Sequence, residues 1–472
     1  MVRRILALFA LGLSAALQAS LPAGPIEKLV ESGMASSGVP GLAYAVVADG
    51  EIEQVGARGV AEIGRDREVT PDTPFLAGSI SKSFTALAVM QLVEAGKIGL
   101  DDEISRHLDV FGGKPAGAIT VRQLLSHTSG YSTYQGNQAL IDDKTGPDAL
   151  ARRAAMIAEI APATDPGTGW AYSNANYIVA GRLIEVISGQ DFNAYIQSAI
   201  LEPAGMAHSF VAEGTGDERT ATGHRPWFGT KRPMHEDWTH RAMAPAGGIV
   251  ASASDLARYM QVMLNGEDDI LSAAGKAEML RPASEASPYY GLGWYLYPEN
   301  GIAWHGGTSP GAETLAMMLP AQRKGVVVLT NAGSGTGFGE VGPLLDSVAA
   351  HALDLENEEP GSRWPQKAIF LSLLLLPALY LLSMVWAWRH RAALRAKSGP
   401  FGLFSLWFPL LTTVAAAWAV LHLVPGLIGA PIGTLSLFQP DLGLAMYATA
   451  GAGVLWAVFR LAVAYGGKPR RA

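Results

Sequence analysis

The pattern of hydrophobic and polar positions predicts a mixed α and β region followed by three long apolar stretches. Two short β-type runs, Leu42–Val47 and Ile52–Val60, flank Asp49-Gly50, a dipeptide typical of a tight hairpin turn. Three further strands are predicted at Ile302–Trp304, Thr314–Leu319 and Gly325–Thr330. The predicted strands therefore lie near the two ends of this region.

Helical patterns occupy the middle of the same region. Ser81–Glu94 carries apolar residues at helical spacing, and Gly96 is placed to end that helix. Thr120 can cap a short helix at Val121–Leu125, and a further helix is predicted at Ala175–Ile187. We therefore predict an α/β (α+β) domain, in which one antiparallel sheet of N- and C-terminal strands carries an inserted helical lobe.

The three apolar stretches lie at residues 368–388, 403–427 and 442–465. Each has close to the roughly 20 residues that a helix needs to cross the hydrocarbon of a bilayer. Buried helices of a soluble protein are the alternative, but three such stretches in succession with almost no charge disfavour it. The predicted plan is a globular domain at 22–353, a linker at 354–367 and a membrane domain at 368–472.

The N-terminus has the pattern of a secretory signal peptide at residues 1–19. Arg3 and Arg4 precede a short apolar run, Ile5–Leu13, and small residues follow it. An uncleaved anchor is the alternative, but the run is too short to span a membrane comfortably. The cleavage site is unclear, because Leu17 stands where a small residue is expected.

The basic residues predict how the chain is oriented in the membrane. The formal net charge is -7, yet nine basic residues and one acidic residue follow residue 366. Four of the nine lie in the first connection, at 389–397, and three lie in the last five residues, whereas the second connection, 429–441, has none. By the preference of basic loops for the cytoplasm, the globular domain is predicted on the periplasmic or extracellular side and the C-terminus in the cytoplasm.

Composition excludes several classes of protein. With 49% hydrophobic and 16% charged residues, the chain is too apolar for intrinsic disorder. The absence of cysteine excludes disulfides, thiolate metal sites and a cysteine nucleophile. The acidic globular region also argues against nucleic acid as a partner, because binding to phosphates needs a basic face.

Ser79-Ile80-Ser81-Lys82 stands at the start of a predicted helix. Residues three apart share a helix face, so the Ser79 hydroxyl and the Lys82 amine can be neighbours. A serine nucleophile needs such a base, and it needs backbone N–H donors like those at a helix start. Ser79 could equally be a helix cap, because S-x-x-K also arises by chance.

Two other motifs could supply further groups. Tyr172 beside a cation could exist partly as phenolate and relay protons, while Asn174 offers a donor and an acceptor to an amide. After the predicted strand Ile302–Trp304, His305-Gly306-Gly307 could let an extended substrate approach, with His305 meeting a carboxylate or moving a proton. The alternatives are a packing tyrosine followed by a cap, and a glycine-rich turn.

In order along the chain, S-x-x-K, Y-x-N and H-x-G resemble the motifs of the serine β-lactamase and penicillin-recognising D,D-peptidase family. The resemblance is to the branch that contains class C β-lactamases, a D,D-carboxypeptidase, D-aminopeptidases and related esterases. It covers roughly Ile26–Leu353 and none of the membrane part. Supporting stretches lie at residues 75–78, 124–130, 202–206, 246–249 and 254–256.

This resemblance implies a role for each motif residue. It makes Ser79 the nucleophile, Lys82 its main proton acceptor and Tyr172 the group that protonates the leaving group and helps to activate water. Asn174 is then expected to hold the substrate amide. The remaining substrate-binding residues are His305, Gly307 and Thr308, with the backbone N–H groups of Ser79 and Thr308 as the oxyanion hole. No cofactor and no metal is implied.

The third motif departs from the Lys-Thr-Gly that is usual in β-lactamases. His305 is neutral much of the time near pH 7, and Gly306 has no hydroxyl with which to hold a carboxylate. This favours a peptidase or esterase over an efficient β-lactamase. The expected substrates are small molecules or peptides, among them D-amino-acid peptides, cell-wall peptide, β-lactams and small esters.

Other interpretations are weaker. A catalytically inactive sensor or binding module in the membrane is the main alternative, although it has no need of Lys82 and Tyr172 together. Transport is poorly supported by three helices without a buried charge pair. His127 could suggest a Ser/His pair but has no evident acid partner, and His235-Glu236-Asp237 with His240 could bind a metal, although loop histidines are more often solvated.

Overall fold

A six-stranded antiparallel sheet organises the globular part of the chain. The computed structural model describes residues 24–138, 146–214, 216–235, 241–357 and 361–466. The sequence-predicted signal peptide at 1–19, the basic residues after 467, and Glu236, Asp237 and His240 lie outside these described residues.

The strands of the main sheet come from both ends of the domain, as the sequence predicts. In order across the sheet they are β2 Glu51–Gly59, β1 Gly41–Ala48, β11 Lys324–Thr330, β10 Ala312–Leu319, β9 Ile302–Ser309 and β8 Tyr295–Tyr297, numbered along the chain. Asp49 and Gly50 have φ of 52° and 80° and make the tight turn between β1 and β2. The other strands form two smaller sheets: β3 Phe75–Leu76, β7 Ile249–Ala251 and β4 Phe210–Val211 make a three-stranded sheet, and β5 His224–Trp227 pairs with β6 Thr230–Pro233.

Both faces of the main sheet are buried, and alternate residues of β1 show this directly. Ala43 and Ala45 belong to one hydrophobic core, whereas Leu42 and Tyr44 belong to a second core on the opposite face. Helices near the two ends of the domain cover the second face, and helices of the inserted lobe cover the first. The helices of the globular part are α1 Pro25–Ser37, α2 Ser81–Glu94, α3 Val121–Leu125, α4 Thr133–Gln138, α5 Ala149–Ala158, α6 Asn174–Ser188, α7 Phe192–Ile196, α8 Ala244–Gly247, α9 Ala253–Leu264, α10 Ala273–Met279 and α11 Gly342–Ala352.

The predicted helices of the lobe are present with the predicted caps. Thr120 and Gln123 form a capping box at the start of α3, in which each side chain bonds the backbone of the other residue. Gly189 ends α6 in the left-handed conformation with φ of 73°. Shorter helical turns lie at Gly78–Ile80, Ile104–Arg106, Asp109–Phe111, Pro115–Ala118, Gln197–Leu201, Arg241–Met243 and Pro320–Gln322.

One local prediction is wrong, since His305-Gly306-Gly307 does not follow a strand but lies within one. β9 continues to Ser309 and pairs with β10 throughout, with Gly307 opposite Thr314. The two glycines suggested a turn, but the turn comes later, at Pro310-Gly311, where Gly311 has φ of 78°. The backbone pairing with β10 outweighs the weak strand propensity of glycine.

Three helices after residue 363 are long and apolar enough to cross a membrane: Trp364–Arg389, Gly399–Ile428 and Pro440–Tyr465. The first begins inside the predicted linker, with Pro365 in its first turn, where the missing N–H costs nothing. Many large side chains on these helices are exposed, such as Leu382 at 65% and Leu411 at 70%. Such surfaces suit lipid rather than water.

The C-terminal helical region, the predicted membrane part, contains shorter elements between and within the long helices. A helix lies in each connection, and one turn of π-helix, Ala419–Leu423, interrupts the middle span. The helices are α12 Trp364–Arg389, α13 Arg391–Ala396, α14 Gly399–Trp418, α15 Val424–Ile428, α16 Ile432–Phe438 and α17 Pro440–Tyr465.

Candidate active site

Ser79 lies in a helical turn, Gly78–Ile80, that leads directly into α2. Gly78 adopts φ of 57°, in the left-handed region that favours glycine. The Ser81 hydroxyl fixes this turn by donating to the Gly78 carbonyl at 2.6 Å and accepting the Ile249 N–H at 2.9 Å. The turn therefore presents Ser79 at the edge of a rigid helix start.

Lys82 is fully buried one helical turn after Ser79. Its Nζ lies 3.0 Å from Ser79 Oγ, 2.8 Å from Asn174 Oδ1 and 2.6 Å from the Ala246 carbonyl oxygen. Burial lowers the pKa of the Lys82 amine well below its ordinary value, because the charged form loses its hydration.

These three partners can accommodate the neutral amine that burial favours. Asn174 Oδ1 and the Ala246 carbonyl can only accept, so they take the two hydrogens of an uncharged –NH₂ group. The remaining lone pair then faces Ser79 Oγ, whose hydroxyl can donate. The arrangement can therefore withdraw a proton from Ser79.

Asn174 is the first residue of α6, and its amide is held on both sides. While Oδ1 accepts from Lys82, Nδ2 donates to Asn137 Oδ1 at 3.0 Å. The orientation of the amide is consequently fixed by its partners. Asn174 therefore orients the lysine, and its role in holding a substrate amide stays a prediction.

Tyr172 reaches Ser79 from the other side of the pocket. Burial, followed by the nearby Tyr295 phenol, raises the pKa of Tyr172 well above its ordinary value, while a hydrogen bond with the Ser79 side chain opposes this rise. Lys82 Nζ is 4.9 Å from the centre of the Tyr172 ring. The structure therefore favours a neutral phenol, contrary to the expectation of a partial phenolate.

His305 lies on β9 and is almost fully buried. Burial lowers the pKa of His305 to about 3. Its Nε2 is 3.2 Å from the Tyr290 hydroxyl, and its Nδ1 is 2.8 Å from the Gly306 carbonyl oxygen. His305 is thus a neutral group, and the expectation that it could meet a carboxylate as a cation is not supported.

Gly307 allows β9 to approach the turn that carries Ser79. A Cβ on Gly307 would lie 2.0 Å from the Ala77 carbonyl oxygen and 2.1 Å from Thr314 Oγ1. The Thr308 backbone nitrogen also lies close to this turn, 3.0 Å from where a Cβ on Gly78 would be. The two glycines therefore bring the backbone at Thr308 beside Ser79.

A cavity of about 510 Å³ joins these groups, a size typical of small-molecule sites. None of the described residues that line it is Asp, Glu, Lys or Arg. Part of its lining comes from the connection between the second and third apolar helices, which no sequence pattern predicted. The lining residues are Ser79, Asn137, Tyr172, Asn174, Met243, Ala246, Gly247, Tyr295, Trp304, His305, Gly306, Thr308, Ser309, Ile428, Ala430, Thr434, Leu435 and Phe438.

His127 holds the backbone next to Tyr172 through hydrogen bonds. Its Nδ1 accepts the Ser173 N–H at 3.1 Å and lies 3.0 Å from Asn176 Nδ2, so this nitrogen carries no proton. Burial lowers the pKa of His127 well below its ordinary value. The histidine is therefore a neutral acceptor that holds the loop after Tyr172.

Several site residues were missed by sequence reasoning. Asn137, Tyr290 and Tyr295 carry no motif, and only contact across the fold reveals them. Ala246 lies in the stretch 246–249 that supports the family resemblance, which could have pointed to its carbonyl. Among the described residues, no group of three or more His, Asp or Glu side chains is arranged to hold a metal ion.

Comparison with known proteins agrees with the fold and with the family that the sequence resembles. Residues 26–351 match the family model described as Beta-lactamase. Penicillin-binding protein 4 of Amycolatopsis lactamdurans is 31% identical over 323 residues, which cover 64% of this chain and 83% of that protein. Protein flp of Staphylococcus aureus (strain N315) is 25% identical over 418 residues, covering 85% of this chain and 82% of that protein.

Solved structures show the same architecture. The octameric penicillin-binding protein homologue from Pyrococcus abyssi has a TM-score of 0.63 at 26% identity, covering 72% of this chain and 79% of that one. A class C β-lactamase has a TM-score of 0.57 at 22% identity, covering 71% of this chain and 96% of that one, a likeness of fold alone. The resemblance inferred from the motifs is confirmed.

Because β9 approaches the turn of Ser79 closely at Gly307, a single methyl group added there should destabilise the fold. We expect Gly307→Ala to lower the melting temperature of the full chain in detergent, because overpacking against backbone costs about 1–3 kcal/mol. Gly306→Ala is the matched control, since its Cβ would meet nothing closer than 3.6 Å. Equal melting temperatures for the two variants would contradict this account of the strand contact.

Proposed function

Because the chain belongs to the β-lactamase family of serine hydrolases, we propose that it hydrolyses small esters, D-amino-acid peptides or β-lactams through an acyl-enzyme on Ser79. The observation that carries the proposal is the contact of 3.0 Å between Lys82 Nζ and Ser79 Oγ. A buried, neutral amine at that distance is the base that a serine nucleophile needs.

Acylation begins when Lys82 takes the proton of Ser79 as Oγ attacks the substrate carbonyl carbon. The carbonyl oxygen becomes negatively charged and is held by the backbone N–H groups of Ser79 and Thr308. Such a donor typically contributes about 3–4 kcal/mol to stabilising the transition state. The helix start at Ser79 also stabilises this negative charge, because the first N–H groups of a helix have no partner within it.

Tyr172 carries out the proton transfer to the leaving group. Its neutral phenol, hydrogen-bonded with the Ser79 side chain, gives a proton to the leaving alcohol or amine as the tetrahedral intermediate collapses. The protonated Lys82 then returns a proton to the phenolate. In deacylation the same groups act in reverse, so that a water molecule loses its proton to them and attacks the acyl-enzyme.

The cavity favours a peptidase or esterase over an efficient β-lactamase. His305 is neutral, and the described residues that line the cavity include no lysine or arginine to pair with a drug's carboxylate. An ester needs no charged partner, so small esters fit this site best among the three substrate classes. Cell-wall peptide remains a candidate because of where the chain is expected to lie.

We place the catalytic domain outside the cytoplasmic membrane, tethered by the three apolar helices. The charge pattern supports this orientation, because the basic connection at 389–397 and the basic C-terminus favour the cytoplasm. The contacts of the catalytic domain with the membrane part are consistent with it. Phe228, directly after β5, donates its N–H to Asp441 at the start of α17, the end that the charge pattern assigns to the outside.

A catalytically inactive sensor or binding module is the second candidate. A module that only binds needs no base beside a serine, whereas here the buried Lys82 amine, whose pKa burial lowers, lies 3.0 Å from Ser79 Oγ. This geometry therefore favours the enzyme.

A fluorophosphonate probe should label the purified full chain and should fail to label Ser79→Ala, because only an activated serine attacks phosphorus. Ser36→Ala removes an exposed serine of α1 and should label like the wild type. Gel fluorescence after a fixed time is the measurement. Equal labelling of all three proteins, or none of the wild type, would exclude the acyl-enzyme mechanism on Ser79.

The pH dependence of ester hydrolysis should reflect the protonation state of Lys82. Protonation removes the base, so kcat/KM for an ester should fall as pH drops through the pKa of Lys82 and should be constant above it. Because burial lowers that pKa well below 10.5, activity should persist at neutral pH. A profile from about pH 5 to 10 measures this, and an acid limb centred near the ordinary lysine value would contradict a neutral base.

Nitrocefin should turn over more slowly than p-nitrophenyl acetate, by about tenfold or more in kcat/KM, because its carboxylate lacks a charged partner. Both substrates are measured on one preparation, with Ser79→Ala giving the background. Nitrocefin hydrolysis as fast as that of the ester would show that a neutral His305 does not limit β-lactam turnover.

A further inference from the structure

The connection between the second and third apolar helices forms one wall of the active-site cavity. This wall segment comprises residues 428–438 and includes the short helix α16, Ile432–Phe438. Five of its residues line the same cavity as Ser79: Ile428, Ala430, Thr434, Leu435 and Phe438. The membrane part therefore supplies a portion of the site and does more than tether the catalytic domain.

Hydrogen bonds hold the wall segment against the catalytic domain. Asn137 of α4 donates from Nδ2 to the Gly429 carbonyl at 2.9 Å, and Thr434 donates from Oγ1 to the Asn137 carbonyl at 3.0 Å. Thr434 and Ala430 are 4% and 7% exposed. The segment is thus packed at its centre rather than resting on the surface.

The same asparagine links the wall segment to the catalytic groups. Asn137 Oδ1 accepts from Asn174 Nδ2, and Asn174 Oδ1 in turn accepts from Lys82. Beyond the segment, Asp441 is 3% exposed and accepts the Phe228 N–H at 2.8 Å. Contacts at both ends therefore fix the position of the wall relative to Ser79.

The chemistry of the wall is apolar. Ile428, Leu435 and Phe438 face the cavity together with the aromatic rings of Trp304 and Tyr295 from the sheet. None of the described residues of this lining is Asp, Glu, Lys or Arg. A hydrocarbon chain in this space would leave water for an apolar surface, which is favourable for each methylene buried.

We infer that the wall segment determines specificity for esters that carry an apolar chain of several carbons beside the scissile bond. This inference rests on the proposed function, since it concerns substrates of Ser79. Leu435 and Phe438 are the residues assigned to contact the chain. The selected substrates are amphiphiles, with an ester at Ser79 and a hydrocarbon chain against α16.

The test measures the full-length protein in lipid nanodiscs with esters whose hydrocarbon chains differ in length. One series varies the acyl chain, p-nitrophenyl acetate against octanoate, and another varies the alcohol, ethyl acetate against octyl acetate. We expect Leu435→Ala and Phe438→Ala each to lower the ratio of kcat/KM for the long ester to kcat/KM for the short ester, about tenfold in at least one series. Each substitution removes apolar surface that would contact the hydrocarbon chain of the substrate. Fluorophosphonate labelling counts the active protein in every sample.

Leu427→Ala is the matched control, because Leu427 precedes the wall segment, is 79% exposed and does not line the cavity. It should keep the wild-type ratio in both series. Unchanged ratios for Leu435→Ala and Phe438→Ala, with wild type that hydrolyses the short esters, would overturn the inference and leave the proposed function standing. A wild type that hydrolyses no ester and takes up no fluorophosphonate would instead overturn the proposed function, and this inference with it.

Discussion

The buried amine of Lys82 is the constraint on which the site depends. A lysine without water around it is stable only as a neutral group or beside a compensating charge, and its three partners here are a hydroxyl and two carbonyl oxygens. The helix start brings Ser79, α6 brings Asn174, and the 246–249 stretch brings a backbone carbonyl. Each element must be in place for the amine to keep its hydrogen bonds, so stability and proposed chemistry share the same contacts.

Close backbone packing sets the other side of the site. Gly78 and Gly307 let β9 approach the Ser79 turn to a distance that no side chain would permit. The strand thereby carries the Thr308 backbone and His305 into the cavity, and the sheet holds them rigidly through its pairing with β10. A hole for an oxyanion needs donors fixed before the reaction, and a paired strand beside a helix start provides such fixed donors.

The membrane part and the catalytic domain are joined by more than a linker. Asn137 bonds both the Gly429 carbonyl and the Asn174 side chain, so a single residue connects the wall segment with the group that orients Lys82. The C-terminal helical region therefore contributes to the cavity in addition to the membrane anchoring that we propose for it. It also places an apolar surface beside a serine whose other neighbours include several aromatic rings.

The sequence by itself determined the antiparallel sheet, the capped helices, the apolar spans and the family, because each depends on local periodicity, turn residues or ordered motifs. It also placed Ser79 beside Lys82, since residues three apart share a helix face. Only the tertiary structure decided that His305 is neutral, that Asn174 orients the lysine, and that residues 428–438 line the cavity. Burial and contacts between distant segments set these properties, and neither is encoded in the spacing of residues along a chain.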